Sequence, residues 1–574
     1  MGRVVSGVMP GALPSRLAGG RAGLFLCYLL RVKGALLKSS SGESPAISGV
    51  FAWVAGVGVA LFAFFLYVAT LAPTVLYYEQ PILLDSAMLQ VQAIVLGIPG
   101  GTGSPSWVML THLFTYLPVG DPAYRTNLSS AAYSAAAAGL VYAAGFLLTR
   151  NVAAAAVGAL AFGFGTTLWS QAVMAEVYPL NALFITAPIV ALLLWRRTRS
   201  DRYLLAACLL MGLALTNHIT SGLLLPAAFL FVALVDWRKL VEWRLALKGA
   251  GLFIVGLLPY SYLPIRASMG PPLNEWNPTS FERFWYLVSG GDHHVNSFAF
   301  GPAEIPGRFA LYLDYLFQNF HWSLIMLAIA GMVLLAARDR AAAALVFFLW
   351  AGWTFHAIEY NIFDFNLYFI TTYAMVALMA AYGVAGVLGL IGDLMSRFPG
   401  YARVGGVGIV AVAFLVPVGM KIGPAYAAND MSGDWRGREV IETVAEGAEP
   451  NATVLHHRSS LWYMVLVEER RRDLTLADPW APGRVRYTDI VWPDDINHVT
   501  TDLRYGTNDY TGVSTARITA RDGAVYILDQ DSANARYFTD AGFDIVRVEQ
   551  NLLYELVPPG GERYTETDNV ASGG

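Results

Sequence analysis

Eleven stretches of this chain are apolar enough, and nearly long enough, to cross a lipid bilayer, and that succession leaves few folds open. A spanning helix needs about 20 mostly apolar residues, because backbone polar groups must pair within the segment where no water reaches them. The windows fall approximately at 49–72, 128–149, 152–169, 180–195, 203–216, 219–235, 247–264, 320–337, 341–357, 367–392 and 404–426. Hydrophobic residues make up 56% of the chain and charged residues 14%, against roughly a quarter charged in an ordinary soluble domain. The sequence therefore predicts an α-helical polytopic membrane protein of about 11 transmembrane helices. A net charge of −4 with scattered basic residues excludes the clustered electropositive face that nucleic acid requires. Two cysteines, Cys27 and Cys208, both in apolar stretches, support neither a disulfide framework nor a thiolate metal site.

Lys and Arg stay on the cytoplasmic side of short loops and so orient the spans. With the N-terminus inside, nineteen basic residues fall in inner segments, among them Arg196, Arg197, Arg199, Arg338 and Arg340. The outer loops hold only Arg125, Arg266, Arg283 and Arg308, with Lys421 near the outer end of the last span. The same orientation collects Glu79, Asp85, Asp121, Glu176, Glu275, Asp292, Glu359, Asp364 and His218 at the outer face. Residues 1–48 read as a cytoplasmic segment whose short apolar run, 23–32, is an interfacial helix rather than a cleaved signal. Residues 49–427 form the membrane domain. From 428 to 560 alternating strand and helix patterns predict a small extracytoplasmic α/β domain, and 561–574 a disordered tail. Arg in excess of Lys, with abundant Ala and Gly, suggests a GC-rich bacterial genome and hence a plasma-membrane location.

The segment ILLDSAMLQVQAIVL after the first span places Asp85, Ser86, Gln90 and Gln92 within one broad arc of a helix, shared with Leu89, Ala93 and Leu96. Such a helix can lie along the membrane surface with its carboxylate at the water boundary, where an apolar surround tunes it as a general base. The plain alternative is a solvated polar face. Arg266 and Arg125 sit where guanidinium groups can grip a phosphate or merely snorkel to the interface. Glu176 occupies a short outer turn, where a charge is used or paired. His218 is a candidate to orient a phosphate, or a satisfied turn residue. Glu359 and Asp364 stand in IEYNIFDFNLYF, where one acid is expected to bind sugar and the aromatics to form an interfacial belt. Adjacent His293 and His294 beside Asp292 are too weak a pattern for a metal site, and no metal or other cofactor is expected.

The runs LDSAMLQVQAIVLGI, THLFTYLPVGDPAYRTNLSSA, WSQAVMAEVYPLNALF, LALTNHITSGLLLPA and LPYSYLPIRA resemble, in order, a bacterial family of polytopic membrane proteins. That family is related to the GT-C superfamily of glycosyltransferases and to a eukaryotic membrane O-mannosyltransferase. The resemblance covers roughly residues 72–368. It implies a GT-C-like membrane fold and transfer of a sugar, with mannose the first candidate, from a polyprenyl-phosphate donor to a protein, glycan or lipid acceptor on the outer face. By the same resemblance Asp85 matches the family's catalytic base. With such a donor, the chemistry of the residues makes Arg266, Arg125 and His218 candidates at the phosphate and Glu176, Glu359 and Asp364 candidates at acceptor or sugar. Two departures stand out. The family's D-S-G-E reads Asp85, Ser86, Ala87, Met88 here, without the second carboxylate, and a segment that carries His and ends G-Y-P reads GGTGSPSW.

A transporter places ionisable residues near the midplane of broken helices, whereas these spans are almost free of charge and the acids gather outside. That distribution favours surface chemistry on a lipid-borne substrate. A non-enzymatic sugar-binding or lipid-binding assembly factor is the other reading, and the lost Glu and His positions speak for it.

Overall fold

The computed structural model describes residues 45–77, 85–456, 459–477 and 523–561, apart from 529–534 and 550–551, with Ala516 and Ala520 besides. The expected interfacial helix at 23–32, Glu79 and the C-terminal tail lie outside the described residues. Among the described residues eight helices are long and apolar enough to cross a membrane, or ten when each of two bent pairs is taken as one span. The pairs are Val152–Gly163 with Thr166–Ala172, bent by 64°, and Ile305–Asn319 with Trp322–Arg338, bent by 111°. Ten of the eleven expected windows fall on these spans, and the eleventh, 203–216, falls on the shorter helix Asp201–Leu215, of 15 residues.

Spans pack tightly where side chains are smallest. Without a hydrophobic difference between helix and lipid, association in a membrane depends on close van der Waals approach, which small residues permit. Helices Trp322–Arg338 and Ile370–Leu394 meet at Gly331 and Gly383. A Cβ on Gly331 would stand 1.9 Å from the Met379 carbonyl oxygen, and one on Gly383 2.0 Å from that of Leu327. Because backbone sits on the far side of both contacts, neither can yield locally. Gly331→Val is therefore expected to separate the helices and cost about 1–3 kcal/mol, read as a lower thermal midpoint in detergent.

After helix Leu415–Asn429 the chain enters a mixed five-stranded sheet. Its strands are β1 (Thr453–Leu455), β2 (Thr475–Ala477), β3 (Val525–Leu528), β4 (Asp544–Glu549) and β5 (Leu553–Val557), in the order β2-β1-β3-β5-β4. The β1 pairings are parallel, and β5 runs antiparallel to both β3 and β4. All five strands fall within 428–560, where alternating strand and helix patterns are expected.

This sheet region does not stand apart from the membrane helices. Val440, Ile441, Leu461, Trp462 and Met464 share one buried cluster with Val75, Met88 and Val91, so helix Ser86–Val95 is roofed by residues more than 340 positions later. At the seam a Cβ on Gly437 would lie 2.2 Å from the Val75 carbonyl oxygen, so helix Arg436–Gly447 packs directly on the backbone leaving the first span. Arg438 adds charge to the contact. It pairs with Glu468 in its own region and, at 3.6 Å, with Asp121 at the start of helix Pro122–Thr149.

Candidate active site

The first consequence of that roof concerns Ser86, Gln90 and Gln92, which a surface helix would leave in water. All three are fully buried. Buried polar groups are paired as a rule, and each of these three side chains makes a hydrogen bond, although Gln92 Oε1 is left without a partner among the described residues. Gln90 Oε1 accepts from the Leu76 amide at 3.0 Å, Gln90 Nε2 donates to Asn127 Oδ1 at 2.8 Å, and Gln92 Nε2 donates to Glu275 Oε1 at 2.6 Å. The solvated-face reading is thus corrected: the polar arc is a set of anchors. Asp85, immediately before the helix, remains exposed, and its carboxylate does not cap the helix that follows.

The other end of the helix explains Arg266. Its Nε donates to the Leu96 carbonyl at 2.8 Å and its Nη2 to Val95 at 3.1 Å, where a cation satisfies the unpaired carbonyls and the negative end of the helix dipole. Arg125 is similarly committed. Its guanidinium donates to the carbonyls of Thr115, Val119 and Gly120 and closes that turn. Neither arginine lines the cavity where the remaining candidates meet.

That cavity, of about 950 Å³, is bounded by Asp85, Glu176, His218, Glu359 and Asp364, and so collects five of the seven residues singled out in the sequence. Its wall also holds Glu275, His293, His294 and His356, and no Lys or Arg among the described residues. Glu275 and the histidines of this wall were not predicted as site residues. Glu275 is brought in by a single parallel bridge between Ile98 and Asn274, which a sequence pattern does not reveal.

Glu176, Asp364 and Glu359 are each placed by a chain reversal at the end of a span. Glu176 precedes helix Val177–Thr198; its Oε2 accepts from its neighbour's amide at 3.3 Å and its Oε1 from the Ser86 hydroxyl at 3.1 Å. Burial, reinforced by the charges of Asp85 and Asp364, pushes its carboxyl up to about 8. It is therefore protonated at neutral pH. Asp364, before helix-turn Phe365–Phe369, is raised to about 6 by burial and by Asp85. Glu359 ends helix Arg340–Glu359, and the turn after it is fixed by Arg308, which donates to the carbonyls of Ile358 and Tyr360 at 3.0 Å each. Glu359 Oε2, Asp364 Oδ1 and His356 Nε2 are buried atoms without a hydrogen-bond partner, on three residues that line the cavity.

His218 accepts on Nδ1 from the Thr220 amide at 3.4 Å, which leaves its proton on Nε2. Burial, with His356 and His293 nearby, holds it down to about 3, so it is a neutral donor rather than a cation. Of the aromatics expected as an interfacial belt, Tyr360, Phe363 and Tyr368 are instead part of the wall. Tyr178, His218 and Tyr368 lie 5.6–5.8 Å apart by ring centroids, and Tyr368 also meets Tyr360 at 5.1 Å and His356 at 5.7 Å. Carboxylates beside aromatic faces suit a ligand that offers both hydroxyl groups and an apolar face, as a pyranose does. Among the described residues no three His, Cys, Asp or Glu stand together as a metal-holding group.

The fold is matched by solved structures. ArnT from Cupriavidus metallidurans bound to undecaprenyl phosphate superposes with a TM-score of 0.58 over 88% of this chain and 97% of its own, at 11% identity. Its apo form gives the same TM-score at 13% identity, over 89% of this chain and 98% of its own. Residues 85–241 match the family described as the protein O-mannosyl-transferase TMEM260 N-terminal domain, and the match begins at Asp85. Over that stretch the chain is similar to TMEM260, and its fold is like that of ArnT. The mouse protein O-mannosyl-transferase TMEM260 is 26% identical over 278 residues, which are 46% of this chain and 38% of the mouse protein. The chain thus matches well under two thirds of that relative's length.

Proposed function

We propose that this chain is a membrane glycosyltransferase that moves a sugar from a polyprenyl-phosphate donor to an acceptor hydroxyl at the outer face, with Asp85 as general base. The observation that carries this reading is the convergence of Asp85, Glu176, His218, Glu359 and Asp364 on one cavity. It is supported by a fold like that of ArnT, a protein solved with undecaprenyl phosphate, and by the resemblance to an O-mannosyl-transferase. In the reaction Asp85 takes the acceptor's proton as its oxygen bonds the sugar's anomeric carbon. The bond from that carbon to the phosphate oxygen breaks, and polyprenyl phosphate leaves. Neutral Nε2–H of His218 donates to a phosphate oxygen, and Glu359 and Asp364 accept from sugar hydroxyls. Both arginines are engaged on backbone carbonyls away from the cavity, and neither is given a part in the transfer. The N-terminus lies in the cytoplasm of a bacterial cell and the sheet region outside its plasma membrane.

The test is transfer of labelled mannose from polyprenyl phosphate in membranes that overproduce the chain, with other sugars as comparison donors. Transfer above that of membranes lacking the chain supports the proposal, and none with any polyprenyl-phosphate sugar overturns it.

Protonated Glu176 places no charge of its own beside Asp85. Loss of the Glu176 proton above about pH 8 adds a second charge beside the base, so activity is expected to fall there. Stability moves the same way. The unfolded chain binds fewer protons between the ordinary carboxylate range and about 8, so stability falls as pH rises through that window. Glu176→Gln, which mimics the protonated acid, should flatten both the alkaline limb of the rate profile and the pH dependence of the melting temperature.

A further inference from the structure

We propose that Asn127 is a positioning residue for the transfer reaction, setting the separation of Asp85 and Glu176 by tying the helix that follows Asp85 to the turn that carries Glu176. The inference rests on the transferase reading for its kinetic consequence but not for its geometry.

Asn127 lies in helix Pro122–Thr149, within the TNLSS stretch, and is fully buried. Its Oδ1 accepts from Gln90 Nε2 at 2.8 Å and from the Ala175 amide at 3.0 Å. Its Nδ2 donates to the carbonyls of Ala72 at 3.1 Å and Thr74 at 3.2 Å. An amide has two donors and two lone pairs, and here all four are used. The orientation is unique, since exchanging N and O would set donor against donor at Gln90 and Ala175. One side chain therefore joins three segments: the chain leaving the first span, helix Ser86–Val95 and the turn before Val177.

A second connection runs beside the first. Ser86 is one helical turn before Gln90 and so shares its face. The Ser86 hydroxyl donates to Glu176 Oε1, while the Glu176 amide donates to Ser130 Oγ at 3.2 Å, and Ser130 is one turn beyond Asn127. Two rungs thus link the same two helices through consecutive residues of one turn, Gln90 to Asn127 to Ala175 and Ser86 to Glu176 to Ser130. With both in place neither the Glu176 backbone nor its carboxyl can move relative to the start of the Asp85 helix. Removing the first leaves Glu176 held by the second rung alone, and a displacement of about 1 Å in a reacting geometry costs as much as 100-fold in rate.

The charged and titratable groups around Glu176 are Asp85 at the helix start, Asp364 from the turn before Phe365, Tyr178 on its own helix, and His218 and His293 across the cavity. None of these is a fixed cation. The proton on Glu176 therefore depends on its burial and its distance from Asp85, which are the quantities the tether fixes.

The experiment uses the full chain in membranes and compares Asn127→Ala, and the milder Asn127→Ser, with Asn151→Ala, which removes the cap of the following helix, beyond the opposite end of the helix that carries Asn127. The expected result for the Asn127 variants is faster hydrogen exchange at the Ala175 amide and a kcat lower by about 10-fold to 100-fold with little change in KM for the donor. The alkaline limb of the rate profile should move to lower pH. Gln90→Ala combined with Asn127→Ala should lower kcat no further than Asn127→Ala alone, because both break one rung, while loss of the Gln90 bond with the Leu76 amide adds to the stability cost only. Asn151→Ala should lower the melting temperature and leave the exchange and the pH limb in place. Unchanged Ala175 exchange in a folded Asn127 variant, or the same pH shift from Asn151→Ala, would overturn the proposal. If Asn127→Ala does not fold, Asn127→Ser is read by the same criteria. A wild-type chain that transfers no sugar would defeat the transferase reading, while the exchange measurement would still decide the tether.

Discussion

Asp85→Asn is expected to lower sugar transfer by about 100-fold to 10,000-fold while leaving folding, membrane insertion and donor affinity nearly intact, as loss of a general base does. The reasoning is local. Asp85 is exposed where the described cavity wall begins, and its side chain makes no cap to the helix after it, so an isosteric amide leaves that helix in place. Its neighbour Glu176 is protonated below about pH 8 and cannot replace it as a base at neutral pH. Above that value Glu176 ionises, and in the Asp85→Asn variant the second charge is no longer beside a first. Residual transfer by the variant should therefore rise with pH over the range where the wild-type rate falls. Labelled-sugar transfer measured between pH 6 and pH 9 checks both the size of the loss and this inversion. A melting temperature well below that of wild type would instead mean that the side chain matters for folding. Full activity in the variant would remove the base assignment altogether.

How far the sequence led can be judged from single residues. The spans were legible because their signal is one-dimensional: a run of apolar residues near 20 long is a helix in lipid whatever surrounds it. The sheet region was legible between 428 and 560 as a succession of strand and helix patterns, and all five strands fall inside it. Asp85, Glu176, His218, Glu359 and Asp364 were singled out because each is a charge or a ring in or beside a segment that connects spans, and the structure brings all five to one cavity. The failures share a cause. Gln90 and Gln92 read as a wetted face because nothing local announces that residues 440–464 will cover them. Arg125 and Arg266 read as phosphate ligands because a guanidinium at a membrane boundary satisfies that chemistry, whereas here unpaired carbonyls of a turn and of a helix end claim it first. A signal for Arg266 existed in the Leu96–Gly97 helix stop, with Leu96 in the left-handed region at φ 56°. Tyr360 and Tyr368 were assigned to the lipid boundary by composition, and only the fold turns them inward.

Met88→Glu, which restores the carboxylate of the family's D-S-G-E pattern, is expected to damage this protein rather than improve it. Met88 is fully buried, and its cluster joins helix Ser86–Val95 to Val440, Ile441, Trp462 and Met464 of the sheet region. An ionised carboxylate there would be enclosed by apolar side chains. An unpaired buried charge costs several kcal/mol even after relaxation, and a buried acid escapes part of that cost by staying protonated. Loosening of the sheet region from the membrane helices is therefore the expected outcome, growing as pH rises and the new carboxyl is forced to ionise. Limited proteolysis between helix Leu415–Asn429 and β1 should become faster at pH 8 than at pH 6, with no such difference in wild type. Met88→Leu, which keeps the volume apolar, should cost less than about 1.5 kcal/mol. The absence of a second acid beside Asp85 then has a structural reason, since its position in the chain has become the floor of an interdomain core. The acid that does stand beside Asp85 is supplied from another helix, by Glu176 through Ser86. If Met88→Glu instead left the seam intact and raised transfer, the carboxylate would have found the cavity, and the side chain at position 88 would have to turn out of its core to reach it.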